Sequence, residues 1–580
     1  MSYKTVSVWV KAEPFSYGAL PVAPDPRLTF TNIRKIVIYA RNKGSTGYPL
    51  LSYSVWKHIA CNKLHITEEL AWMFFSSCHV LVGIFSPVER IRWDERLKRC
   101  RSDREIDDLR CTLKIDLYIF VLYLYIQQLY RVSLRASLVA GRNIMIILLN
   151  LLHKWPSQSS ISSLDFDGPG TPRSTPRNSK SLDDHSHHVF VQTHLQEILE
   201  LVSSVGEDNA SNQNGRPSRT LSLEAVESLG FIVAGSPEYN KTVKSLIELS
   251  TSLSNSYNTG YDKFSQHFNL HQFQQWIKDN LAHNPFSVSA CIANGTRLSW
   301  PLAGDEGKGE SNKRGKIATN ANIVPRHHVI GNKLIIMSQV SKQTVARSSG
   351  TLELSCVKIH RSHYSYLYLL SPLRSVTIEK CRNSTVILGP VELTVHLSNC
   401  ENITVIVPCR NIIVSGCTSC TLHLLTPNRP TLLSGNDSIL IAPYHTYYPQ
   451  LEEHMTRVGL GSDLNLWDQP LCVGPDHKGQ SQWDFLPSEV FHQFRIPFEM
   501  EGPTHSIPGL PKQYLRYLSQ RQKQVDNWQK IVKEAHLSRP QRKEFQVLVE
   551  SRFQTWLAET GYKKELDGLV VQQKKEGRKR

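Results

Sequence analysis

Residues 375–417 read SVTIEKCRNSTVILGPVELTVHLSNCENITVIVPCRNIIVSGC, and how this stretch repeats decides the fold. Cys381, Cys400 and Cys417 stand 19 and 17 residues apart, and Asn436 takes the same place 19 residues further on. Five and three residues before each anchor come Val376/Ile378, Val395/Leu397, Ile412/Val414 and Thr431/Leu433. Three, five and seven after come Ser384/Val386/Leu388, Ile403/Val405/Val407, Cys420/Leu422/Leu424 and Ile439/Ile441/Pro443. Two after each anchor stand the turn formers Asn383, Asn402, Ser419 and Ser438. An earlier, less regular coil is expected through Val357, Ile359, Tyr366 and Tyr368.

Alternating apolar runs that return every ~18 residues, with the turns returning too, are what stacked coils require. Equivalent side chains then pile into ladders about 4.8 Å apart. One coil cannot bury its own apolar face, so several must stack to make a core. An antiparallel sandwich has no reason to repeat its turn positions at near-constant spacing. The expectation is a right-handed parallel β-helix.

Outward from it the texture changes. The flanks read as helical, giving a mixed α and β chain with disordered linkers. The expected domains are a helical region over 1–138, an apolar insert with a Ser/Pro-rich linker over 139–189, and a helical region over 190–302. A flexible linker over 303–325, the β-helix over 326–446, an irregular extension over 447–510 and a basic helical C-terminus with a free tail over 511–580 follow. Thr67-Glu-Glu-Leu70 resembles a helix start, and Pro87 opens another helix in which Trp93 and Leu97, four apart, form the core-facing stripe. The run Asn143-Ile-Met-Ile-Ile-Leu-Leu-Asn-Leu-Leu152 reads either as a hydrophobic helix or as translated intron. Two basic helices are expected between 515 and 561, packed as a hairpin that caps the solenoid.

Composition excludes several classes. The 580 residues carry a formal charge of +16. The excess sits at one end: 511–580 holds 17 Lys and Arg against 8 Asp and Glu, whereas 351–440 holds 7 against 5. A nucleic-acid reader would concentrate cations on its folded core, so no nucleic acid is expected. The first ten residues lack the apolar core of a signal peptide. The apolar stretches 117–130 and 144–152 are too short to span a membrane. Twelve cysteines without a secretion signal imply free thiols. Cys417-Thr-Ser-Cys420 is a lone pair at interior or turn positions, without a second pair at zinc spacing. No phosphate-binding loop, zinc-protease or nucleophile-elbow motif occurs. No catalytic, metal or cofactor site is expected.

The blocks Cys381-Arg-Asn-Ser-Thr-Val-Ile-Leu-Gly-Pro-Val, Val395-His-Leu-Ser-Asn-Cys-Glu-Asn and Pro408-Cys-Arg-Asn-Ile-Ile-Val resemble the C-CAP/cofactor C-like domain of the tubulin-binding cofactor C family. The exit Ala442-Pro-Tyr-His-Thr-Tyr-Tyr-Pro is similar to the way that family continues. Val10-Lys-Ala-Glu-Pro-Phe, Trp56-Lys-His-Ile-Ala-Cys, Tyr125-Ile-Gln-Gln-Leu, Pro497-Phe-Glu-Met-Glu-Gly and Val532-Lys-Glu-Ala-His-Leu resemble one branch of the family over most of the chain.

That resemblance implies a cytoplasmic, cytoskeletal scaffold at the centrosome, spindle pole and basal body. It implies a role in centrosome positioning and so in Golgi organisation, cell shape and migration. Protein partners follow from it: tubulin, centrosomal proteins, or a small GTPase bound without activation. Catalytic relatives set an arginine on the outer face of a coil, after a cysteine and two glutamines, as an arginine finger that is worth ~10³–10⁵ in rate. The corresponding word here is Cys409-Arg-Asn-Ile-Ile-Val414, and Ile413 holds the outward slot. Arg410, three residues earlier, is about 10 Å away along an extended strand. The chain is therefore expected not to be an enzyme, and Arg382, Arg410 and Arg429 are the candidate outer-face binding residues. The competing readings are a GTPase activator for tubulin or an Arf-like GTPase, and a non-catalytic tubulin-folding chaperone.

Overall fold

The computed structural model describes residues 6–22, 25–129, 182–205, 219–237, 242–252, 256–298, 316–322, 333–347, 350–474, 482–498, 500 and 509–560. The apolar insert, the Ser/Pro-rich run to 181, most of the 303–325 linker and the terminal tail lie outside them. Two compact units form, and they do not follow chain order. One gathers Met1–Ser86, Arg99–Thr296 and Thr319–Leu334; the other gathers Pro87–Lys98, Arg297–Ala318 and Ile335–Arg580.

The first unit is largely helical. Helix Leu117–Ile126 (LYIFVLYLYI) is apolar all round, which marks an element surrounded by protein, and every residue but Ile119 is buried. Trp56 packs edge-on against Phe120 at 4.9 Å, and its indole donates to the Ala71 carbonyl at 2.9 Å. Thr67 caps helix Glu68–Val82 by accepting from the Leu70 amide, as its sequence signals. Short strands interrupt the helices: Ser7–Val10 lies between antiparallel Val233–Ser236 and parallel Leu281–Ala282. Helix Leu182–Val202 begins inside the stretch read as linker. Among the described residues, no helix is long and apolar enough to cross a membrane.

The second unit is built on a parallel solenoid of about six turns over residues 334–443. One sheet stacks Cys356–His360, Ser375–Glu379, Val391–Ser398 and the end of Glu401–Ser415; the other stacks Thr344–Arg347, Tyr366–Leu369, Arg382–Leu388, the start of Glu401–Ser415, Thr421–Leu425 and Ile439–Pro443. The anchors mark one corner. Lys380 and Asn383, Asn399 and Asn402, Gly416 and Ser419, Gly435 and Ser438 all have positive φ, one before and two after each anchor. Gly adopts that conformation freely and Asn more readily than most residues, and Ser is a common turn former, so the turn residues recur with the coil. Val386, Val405, Leu422 and Ile441 form one inner ladder, each fully buried.

Three expectations need correction. Leu432, not Leu433, joins the inner ladder, because Val414 pairs with Leu432 rather than Leu433. The slip follows from Asn436 at an anchor elsewhere held by Cys. Its amide donates to the Val414 and Leu433 carbonyls and accepts from the Cys417 amide, which fixes an extra residue in the corner. In the early coil, Leu367 and Leu369 point inward, whereas Tyr366 and Tyr368 face outward. The extension after Tyr444 is not wholly irregular: Leu471–Cys472 and Trp483–Phe485 add parallel strands to both sheets. Its aromatic and aliphatic residues also cover the outside of one sheet, with Phe498 edge-on to Tyr368 at 5.2 Å.

Candidate functional site

Opposite the cysteine corner the coils carry a column of charge. Leu373 bridges to Val391 and Val391 to Cys409, so the residues that follow, Arg374, Glu392 and Arg410, occupy equivalent places on three successive coils. Their signs alternate along the axis. Helix Pro87–Arg99, which belongs to the same unit, brings two more charges to this column. Arg90 and Asp94 lie one turn apart on a shared face.

Glu392 accepts from Arg374 at 2.8 Å and from Arg90 at 3.2 Å. The Asp94 carboxylate accepts from Nη1 of Arg410 through both oxygens, at 2.8 and 3.0 Å. Nη2 of Arg410 donates to the carbonyl of Gly459. Gly459 has φ of +72° and lies so close that an added Cβ would stand 2.9 Å from the Pro87 Cα, so helix and loop meet backbone to backbone. The Arg410 side chain is 4% exposed and that of Asp94 8%.

Burial pushes the Asp94 carboxyl above its usual range although Arg410 pulls it down, and burial lowers Arg90 although Glu392 opposes that. Burial is the largest cause in both groups, and for Arg90 the neighbouring Arg410 and Arg374 push in the same direction, so the cluster holds its charges at a desolvation cost. Arg90 and Asp94 are the most buried residues of the helix, whereas Trp93 and Leu97 are only half-buried. The expected apolar stripe is therefore not the face the helix buries deepest.

The three candidate arginines do not form one patch. Arg382 heads its strand beside the cysteine corner, is exposed, and pairs with Glu401 at 3.2 Å. Arg429 stands near the opposite corner and donates to the carbonyls of Gln469 and Pro470 at 2.9 and 3.2 Å. Arg410 was expected on an open outer face; helix Pro87–Arg99 encloses it instead. Ile413 does face outward, half-buried, in the column Lys358, Thr377, His396, Ile413, Thr431. Burial pushes His396 down to about 4, so that imidazole is neutral at physiological pH. Lys358 is the one charged member of that column.

Cys381, Cys400 and Cys417 form an inner ladder of free thiols. A hydrogen bond to Cys400 and burial raise Cys381 well above the ordinary thiol range, which suppresses its nucleophilicity. Among the described residues no group of three or more His, Cys, Asp or Glu is placed to hold a metal ion. Arg374, Glu392, Arg90 and Asp94 were not singled out in the sequence. Two signals were present: charges at strict 18-residue spacing over Arg374, Glu392 and Arg410, and an Arg/Asp pair four apart on a helix.

The tubulin binding cofactor C family model matches residues 354–471, which takes in most of this parallel solenoid and makes it a cofactor C-type domain. Similarity extends well past that domain. The chain is 43% identical to TBCC domain-containing protein 1 of Mus musculus over 575 residues, covering 98% of this chain and 99% of that one. It is 42% identical to the Homo sapiens protein of that name over 572 residues, covering 98% of each, and 38% identical to that of Xenopus laevis over 577 residues, covering 98% and 100%. The chain belongs to the TBCC domain-containing protein 1 family.

Proposed function

We propose that the protein is a non-catalytic cytoskeletal scaffold that acts at the centrosome, spindle pole and basal body, and through centrosome positioning serves Golgi organisation, cell shape and migration. Its partners on this reading are tubulin or centrosomal proteins, with a small GTPase bound, if at all, without activation. One observation carries the non-catalytic part. The word that would hold an arginine finger presents Ile413 outward, and its only guanidinium, Arg410, is spent on Asp94 and the Gly459 carbonyl. A finger must reach phosphoryl oxygens as the charge develops, and a cation already neutralised and buried does not.

The test is GTP hydrolysis by tubulin and by an Arf-like GTPase with the full-length protein added. The expected result is no change from the basal rate; stimulation of about tenfold or more, far above binding effects on a slow intrinsic rate, would overturn the reading. The cellular part is checked by imaging a fluorescent fusion: enrichment at the centrosome and spindle poles supports it, and a uniformly diffuse signal sinks it.

A further inference from the structure

The cysteine corner forms a ridge along the solenoid. Its rungs are in register: Ser341, His363, Arg382, Glu401, Thr418 and Asp437 bridge one to the next. Two residues before each of these, and one after, the backbone has positive φ. On the last three coils those positions carry Asn399, Gly416 and Gly435 before the rung, and Asn402, Ser419 and Ser438 after it. Gly and Asn enter the left-handed region most easily, and Ser is a common turn former. Asn402 also donates to Asn383 on the neighbouring rung at 2.7 Å.

The first three coils hold the same backbone with other side chains. Gln339, Arg361 and Lys380 stand before the rung, and Lys342, Tyr364 and Asn383 after it. Arg361, Lys380 and Asn399 make equivalent bonds, donating to the carbonyls of Glu379, Ser398 and Ser415 on the next coil. Long cationic side chains thus occupy a conformation that their neighbours on later coils reach with Asn or Gly. Such strain persists where a role other than turning the chain keeps it, and ligand clamps are a common case.

These cations also gather. Lys342, Arg361, Lys380 and Arg382 are all exposed, on successive rungs about 4.8 Å apart. Like charges side by side repel, so the fold does not gain from the arrangement. Glu379 stands 3.2 Å from Lys380 and 3.9 Å from Lys358, and Glu401 3.2 Å from Arg382. Among the described residues, Lys342 and Arg361 form no ion pair. Burial lowers the His363 imidazole, and Arg382 and Arg361 push it the same way.

The interleaved carboxylates select the kind of partner. A bilayer of anionic headgroups, or a nucleic-acid backbone, presents negative charge throughout and would meet Glu379 and Glu401 as well as the cations. A peptide can set its carboxylates on the cations and leave those two acids to water. The basic part of the ridge runs about 10 Å from first rung to third, the length of about three residues of extended chain.

We propose that Lys342, Arg361, Lys380 and Arg382 form a docking ridge for a short acidic peptide segment of a protein partner. This rests on reading the chain as a protein-binding scaffold, and names where a partner is held. The test is fluorescence anisotropy of labelled deca-glutamate with the full-length protein at low ionic strength, a readout independent of GTP hydrolysis and of cellular location. Saturable binding is expected, weakened at least about tenfold in Arg361→Glu with Lys380→Glu, where two attractive contacts become repulsive.

The terminal helix Lys512–Glu534 is the competitor for any acidic probe. It is held near its start by Tyr514, whose hydroxyl donates to the Leu486 carbonyl at 2.7 Å. From Gln522 onward every residue except Val532 is exposed, so the expected capping hairpin is largely bare. Lys523→Glu with Lys530→Glu changes the net charge by the same amount and should weaken binding less than about twofold, as screened charges away from the ridge. Arg361→Asn with Lys380→Asn supplies the residue that Asn399 provides one coil on. Binding should fall there while the denaturation midpoint holds or rises. A lower midpoint in that variant makes the cations structural and overturns the proposal. Equal weakening by the two charge reversals, or no saturable binding, overturns it too. So does a ridge whose reversal abolishes binding of phosphatidylserine vesicles or duplex DNA but leaves deca-glutamate unaffected.

Discussion

The inside of the solenoid and the corner beneath helix Pro87–Arg99 solve burial in opposite ways. Inside, Val386, Val405, Leu422 and Ile441 repeat one apolar choice coil after coil, and each rung finds its partner in the next. At the corner, Arg374, Glu392 and Arg410 repeat a position but alternate in sign, and two of them are completed only by Arg90 and Asp94 from a distant segment. An apolar ladder gains from any apolar neighbour. A buried ion pair gains from one neighbour alone, and leaves a desolvated charge if that neighbour goes. The ladder therefore supplies stability, and the corner supplies uniqueness of docking.

The sharpest way to break the ladder is Val405→Asp, which puts an unpaired carboxylate where no polar partner is in reach. Loss of well over 4 kcal/mol is expected, read as absence of a cooperative melt in the soluble protein. Next comes the corner. Asp94→Ala should cost about 3–5 kcal/mol by stranding Arg410, whereas Asp94→Leu with Arg410→Met should cost far less or nothing. Chemical denaturation of the three proteins checks it, and equal losses in the single and double variants would show that the pair itself stabilises.

A third expectation concerns acid. Burial pushes His396 and His423 down to about 4, from an unfolded value near 6.5. The unfolded chain then binds these protons first, so stability holds above about pH 6.5 and falls between there and about 4. Denaturant midpoints across that window should drop, and His396→Gln should flatten the fall. Least affected is the exposed corner: Arg382→Ala, breaking a pair with Glu401 on the surface, should change stability by less than about 1 kcal/mol, measured in the same denaturation series.

Much of this is legible in the amino-acid sequence. The anchor spacing gave the coils, the turn positions two after each anchor and most inner positions, because each of these depends on residues within one rung. Thr67 and Pro87 marked helix starts for the same local reason. What failed did so where a neighbour outside the rung intervened. Tyr368 points outward because Phe498 waits there, and Leu432 displaces Leu433 because Asn436 binds backbone that a cysteine leaves alone. Trp93 and Leu97 read as the buried stripe of their helix, yet Arg90 and Asp94 go deeper because matching charges stand on the coils below.

The amino-acid order alone determined a stack of parallel coils, since an apolar alternation returning every eighteen or so residues has few other ways to leave water. Tertiary structure decided the fate of Arg410. A guanidinium on a strand is an open cation or a buried latch according to what lies against it, and here that is a carboxylate 316 positions away. Local pattern sets where a side chain points; only the folded neighbours set whether water, and hence a partner, can reach it.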